Sequence, residues 1–186
     1  MAMLELLDRD TPTFDDPVGM LRACHVRIER QLMTLERLLR HLPEHGADEK
    51  ARAAARGILR YFDASAPNHH ADEEASLFPR LLMRTSDAQA ILARLHADHD
   101  RLDACWRRLR PLLAGIASGQ RANLPPALAH EFADGYGEHI RTENDTLLPL
   151  CSERLTREDL DAIGAEMAAR RNVAWPPAAR AQITRE

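Results

Sequence analysis

Apolar residues recur along this chain in steps of three and four, and four long stretches carry such a stripe. The first reads Val18, Leu21, His25, Ile28, Leu32, Leu35, Leu39, Leu42. The second reads Ile58, Phe62, Ala66, His69, Glu73, Leu77, Leu81. The third is Leu92, Leu95, His99, Leu102, Trp106, Leu109, Leu113, and the fourth Leu128, Phe132, Tyr136, His139, Glu143, Leu147, Leu150. That spacing keeps the residues on one face of an α-helix, so four amphipathic helices are predicted.

Local signals set their ends. Pro17 suits the first position of a helix running from about 18 to 42, which Pro43 and Gly46 close. The second helix spans about 47 to 84, and Pro67 inside it is expected to kink or split it. Ser86 or Asp87 is expected to cap the third, about 87 to 117, which contains Pro111. The fourth starts near Pro125-Pro126 and ends near 153. A shorter helix follows over about 157 to 170, with Thr156 as its cap and Asp159 three residues on. The predicted fold is all-α: an up-down-up-down four-helix bundle with an additional short C-terminal helix. Residues 1–16 read as an irregular arm, 17–155 as the bundle, 156–172 as the C-terminal helix, and 173–186 as an extended or disordered tail.

Each stripe is apolar except at one level. The first and third carry a single histidine; the second and fourth carry His-x-x-x-Glu. Residues four apart lie one turn apart on one face, so each pair aims an imidazole and a carboxylate inward. His25 and His99 lie about 8 and 12 residues after the starts of their helices; Glu73 and Glu143 lie about 10 or 11 before the ends of theirs. In an up-down-up-down bundle those ends coincide, so the six side chains meet at one level. Burying two carboxylates among four imidazoles is expensive without a cation. Metal ions solve this, and mixed imidazole and carboxylate donors suit iron, manganese or zinc. The pattern also repeats. His69, Glu73, Leu77 and Pro79 match His139, Glu143, Leu147 and Pro149 at a constant offset of 70, and His25 matches His99 at 74. The chain reads as a duplicated helical hairpin with a pseudo-two-fold site.

Composition agrees and excludes other classes. Apolar residues make up 45% and aromatics 4%, which favours helix on helix over sheet. A net charge of -4 gives no footprint for nucleic acid. Arg107, Arg108 and Arg110 read as a solvated helix face. Cys24, Cys105 and Cys151 form no C-x-x-C pair, so no disulfide framework is expected, which suits a cytoplasmic setting. No signal peptide and no membrane span are expected. Oligomeric state is not legible.

The segment His69-His70-Ala-Asp-Glu73-Glu74 through Phe78-Pro79 resembles the signature of the hemerythrin HHE cation-binding family. His139-Ile-Arg-Thr-Glu143 through Leu147-Leu148-Pro149 resembles its second copy, and His25 and His99 fall where that family places its single-histidine helices. The resemblance covers about residues 17 to 155. It implies a non-haem di-iron centre with bridging carboxylates, held by His25, His69, Glu73, His99, His139 and Glu143. It further implies O2, peroxide or nitric oxide as small-molecule partners. An oxidoreductase acting on peroxide or nitric oxide is one expectation. Reversible O2 binding, oxygen or iron sensing, or iron storage is the other.

This chain departs from the family's oxygen carriers, whose third helix has two histidines four apart. Here His96 and His99 are three apart, which makes His96 an additional ligand or a flanking residue. His70 and Glu74 are read as further ligands or as partners that orient ligands. Tyr136, one turn before His139, either meets a metal-bound species or packs in the core. Cys24 reads as a small buried hydrophobe and Trp106 as core.

Overall fold

The computed structural model describes residues 12–175. Most of the 1–16 arm and of the 173–186 tail therefore lies outside the described residues. Helix α1 (Pro17–His45) is capped by Asp16, whose carboxylate accepts from the Gly19 N–H at 2.9 Å, with Pro17 in its first turn. Pro43 lies within its last turn rather than after it, and Gly46 closes the helix at φ 62°, a conformation suited to glycine. Helix α2 (Glu49–Asp72) is capped by Asp48. A π-helical turn (Glu73–Leu77) joins it to α3 (Phe78–Arg84). Thr85, not Ser86 or Asp87, caps the next element, a 3₁₀ turn (Ser86–Ala88) that leads into α4 (Gln89–Ala117). Helix α5 (Pro126–Thr142), a second π-helical turn (Glu143–Leu147) and α6 (Leu148–Arg154) form the fourth rod. Helix α7 (Arg157–Arg170) opens with the expected Thr156–Asp159 capping box. No strand occurs among the described residues. The chain is a helical bundle with an added C-terminal helix.

Pro67 does not break the second rod. It is exposed on the outer face of α2, as is Asp63, whose carbonyl loses its helical donor there, so water meets the orphaned group at little cost. The rod departs from α-geometry instead at Glu73–Leu77, where the Phe78 N–H bonds the carbonyl of Glu73 five residues back. Leu148 does the same to Glu143. Pro79 and Pro149 follow directly. A proline ring clashes with the carbonyl four residues before it, and the wider π turn relieves that clash. The extra residue moves the buried face on by one position. Leu148 and Cys151 are therefore buried in α6, while Leu150, expected in the stripe, is half-buried.

The apolar core forms two layers. One gathers Ile28, Leu35, Ile58, Phe62, Leu109, Leu113 and Phe132; the other gathers Leu21, Leu77, Leu81, Leu95, Leu147, Ile163 and Met167. The gap between them falls on every rod at the polar level: His25 on α1, His69 and Glu73 on the second rod, His99 on α4, His139 and Glu143 on the fourth. Each fully buried Leu or Phe contributes about 1.5–3 kcal/mol, so the layers can carry a costly polar belt. Helix α7 covers the second layer. Its Arg170, and Arg171 just after it, clamp the fully buried Asp72, with Arg171 Nη2 2.6 Å from Asp72 Oδ2. No helix among the described residues is long and apolar enough to cross a membrane.

Candidate metal centre

All six histidines and glutamates from the stripes converge. His69, Glu73 and Glu143 are fully buried, and His25, His99 and His139 expose 3% or less. One donor atom each from His25, His69, Glu73 and Glu143 lie within 4.8 Å of one another, and so do those of Glu73, His99, His139 and Glu143. The two groups share both carboxylates. Glu73 turns Oε1 toward His69 Nε2 (3.5 Å) and His25 Nε2 (4.0 Å), and Oε2 toward His99 Nε2 (3.3 Å). Glu143 turns Oε2 toward His25 Nε2 (3.0 Å) and Oε1 toward His139 Nε2 (3.1 Å). Each carboxylate thus offers one oxygen to each imidazole pair. Donors bound to one ion at about 2.1 Å stand about 3 Å apart when adjacent.

The outer nitrogens settle which way the imidazoles face. His25 Nδ1–H donates to Asn144 Oδ1 at 2.8 Å, and His99 Nδ1–H donates to Glu74 Oε1 at 2.6 Å. A neutral imidazole that donates through Nδ1 keeps a lone pair on Nε2. Both Nε2 atoms therefore point unprotonated into the site, as a metal ligand requires. Burial drives the His69 imidazole down to about 3 and also lowers His99, so both stay neutral. Burial, with the neighbouring Glu143 carboxylate, pushes Glu73 well above the usual carboxylate range. Burial also acts to raise Glu143, but His139 outweighs it and holds that carboxyl well below its ordinary value.

The donor set tests well against a cation. Among the described residues, eight buried side-chain nitrogen and oxygen atoms have no hydrogen-bond partner, and all belong to His25, His69, Glu73, His139 and Glu143. Buried polar atoms elsewhere are satisfied, as is normal. Six of these orphans, His25 Nε2, His69 Nε2 and the four oxygens of Glu73 and Glu143, face the interior of the belt and point to an ion that would satisfy them. Thiolates are absent from the cluster, since Cys24, Cys105 and Cys151 are free and join no donor group.

The other candidates separate. Glu74 sits outside the donor groups and orients His99. His96 is exposed and reaches only Glu74, with Nδ1 2.9 Å from Oε1, so it stands on the outer side of that carboxylate. His70 is buried against His99 and Tyr136. Tyr136 packs in the core beside Phe62 and Phe132, with its hydroxyl 3.4 Å from His70 Nε2. Trp106 packs on Phe62 and Phe132, as expected of core. Two residues were missed by sequence reasoning. Asn144 matches Glu74 at the same offset of 70, so the repeat contained the signal. Asp98, 3.8 Å from His139 Nδ1, had none beyond adjacency to His99.

Comparison with known proteins identifies the family. The profile of the hemerythrin HHE cation-binding domain matches residues 16–151. An uncharacterized protein of Haemophilus influenzae is 34% identical over 161 residues, covering 87% of this chain and 93% of that one. A helical bundle, a duplicated His-x-x-x-Glu motif and a buried cluster suited to cations come together, and the chain belongs to the hemerythrin HHE cation-binding family.

Proposed function

We propose that this is a non-haem di-iron protein that binds or reacts with O2, peroxide or nitric oxide at a carboxylate-bridged centre. The arrangement of Glu73 and Glu143 carries the reading, because each presents one oxygen to each imidazole pair. His25 and His69 would hold one ion, His99 and His139 the other, with both carboxylates between them. An all-imidazole and carboxylate set suits iron, and zinc or manganese accept part of it. When bound, the metals supply electrons and open coordination positions for a small oxidant.

The residues of the chain do the rest. Glu74 and Asn144 fix two imidazoles with their lone pairs inward. The apolar layers above and below keep bulk water from the belt. The fully buried carboxylates then interact with a cation far more strongly than they would in water.

The test is metal analysis and optical spectroscopy on protein purified without oxygen, then exposed in turn to O2, peroxide and nitric oxide. About two irons per chain are expected, as in other bundle-borne di-metal sites. A near-ultraviolet charge-transfer band should be lost in His69→Ala and Glu143→Ala. A band that reverses when O2 is removed favours carriage or sensing; turnover of peroxide or nitric oxide favours an oxidoreductase. A metal-free, well-folded protein indifferent to both substitutions would refute the proposal.

A further inference from the structure

The two hairpins are unequal in bulk at one place. Phe62 and Ala66 of the second rod match Phe132 and Tyr136 of the fourth at the offset of 70, and Trp106 on α4 matches Leu32 on α1 at 74. A methyl group on α2 thus stands where the fourth rod carries a phenol ring. The missing bulk is not made up elsewhere: a cavity of about 260 Å³ lies between α2 and α4, with Ala66 in its wall. Packed helices normally interdigitate with few voids larger than a water molecule.

The cavity runs from solvent to the belt. Its buried end is formed by His70 and Tyr136. The His70 ring stacks on the belt residue His99, centroids 4.0 Å apart, and the Tyr136 ring lies 6.4 Å from that of His139. At the other end Asp63, Asp103 and Arg110 are exposed. Asp63 spans that mouth: its Oδ1 accepts from Trp106 Nε1 at 3.2 Å and from Arg110 Nε at 2.8 Å, which fixes the indole as one wall.

Size and lining select the occupant. Pockets for drug-sized ligands measure roughly 300–1,000 Å³, and a water fills about 30 Å³, so this cavity suits a molecule of about two or three heavy atoms with room to move. Between mouth and belt the walls are Phe62, Ala66, Pro67 and Trp106. They offer peroxide few partners for its hydrogen bonds, and stripping those away is costly. O2 and nitric oxide give up little on leaving water. The cleft between α4 and α5 is smaller, about 160 Å³, and is lined by the charged Asp98, Arg101, Glu131 and Glu138.

We propose that the α2–α4 cavity is the port by which small apolar molecules, O2 or nitric oxide, reach the belt. Ala66 sets its bore, and Trp106, held by Asp63, is its outer wall. A neutral diatomic prefers apolar walls to water, so the port also concentrates it beside the belt. This rests on the dinuclear reading above and narrows its substrates to the apolar ones.

The test has two arms, both on the full-length protein. In the first, metal-free protein is placed under xenon, an apolar probe of small cavities, and followed by NMR of its amide and indole N–H groups. The Trp106 indole signal should move with xenon in wild type and stay still in Ala66→Leu, which fills the cavity. In the second, iron-loaded protein is mixed with nitric oxide by stopped flow. Ala66→Leu should slow association at least about tenfold at unchanged iron content. Trp106→Leu, which copies the residue at 32, should speed it. A Trp106 signal indifferent to xenon, or wild-type association rates in both variants at equal iron content, would overturn the port and leave the dinuclear reading standing. So would slowing by Gly135→Ala instead, whose Cβ narrows the α4–α5 cleft at 3.1 Å from Leu102. A protein that takes up no iron removes the dinuclear reading, and the port with it, even where xenon enters.

Discussion

Asn144 accepts the Nδ1 proton of His25 at 2.8 Å across the bundle, from a position 119 residues away in the chain. Glu74 does the same for His99 at 2.6 Å. Asn144 and Glu74 each directly follow a carboxylate of the belt and match at the offset of 70. The duplicated hairpin has therefore duplicated the supports of its ligands as well as the ligands, with a neutral amide on one side and a carboxylate on the other.

These supports can be weighed separately. Asn144→Leu removes the acceptor that fixes His25 and should weaken metal at the His25–His69 half by about 10- to 100-fold. Glu74→Leu should act likewise on the His99 half, and Asn144→Asp should retain tight binding. Competition against a chromophoric chelator reads each affinity. Wild-type affinity in Asn144→Leu would mean that packing alone orients His25.

The metal-free protein should be acid-sensitive. His69 and His70 titrate near 6.5 in the unfolded chain, but burial drives them down to about 3 and about 2 in the fold. Below 6.5 the unfolded state takes up protons that the folded state refuses, so stability falls as pH drops from 6.5 toward 3. Glu73, raised by burial and by Glu143, acts in the opposite sense: it holds a proton in the fold and loses stability as pH rises through its folded value. Urea unfolding at a series of pH values should show a shallower acid decline in His70→Ile. Equal slopes in the two proteins would remove His70 as a source.

Two glycines should respond in opposite ways to alanine. A Cβ at Gly164 would lie 1.9 Å from the Phe14 carbonyl oxygen, whereas one at Gly57 would meet nothing within 4 Å. Gly164→Ala must push the Phe14 segment off α7 and should cost about 1–3 kcal/mol. Gly57→Ala should gain up to about 1 kcal/mol from helix propensity. Thermal melts should therefore shift in opposite directions. A rise in both would show that the α7 contact yields easily.

The sequence by itself determined the helices, their stripes and the six polar residues that interrupt them. Helical periodicity is local, and a carboxylate or imidazole on an apolar face is conspicuous because burying it is costly. The duplication, the Pro17 start and the Thr156–Asp159 cap were legible for the same reason: each rests on residues within a few positions. The tertiary structure decided the rest. Pro67 looked like the breaking point, yet its exposure makes it harmless, and the distortion lies at the π turns before Pro79 and Pro149. The pairing of Asn144 with His25, the placing of His96 outside Glu74, and the stacking of His70 on His99 all depend on how each rod is rotated and staggered against its neighbours. Rotation and stagger are set by packing between segments tens of residues apart, and a stripe on a single helix fixes only which face turns inward.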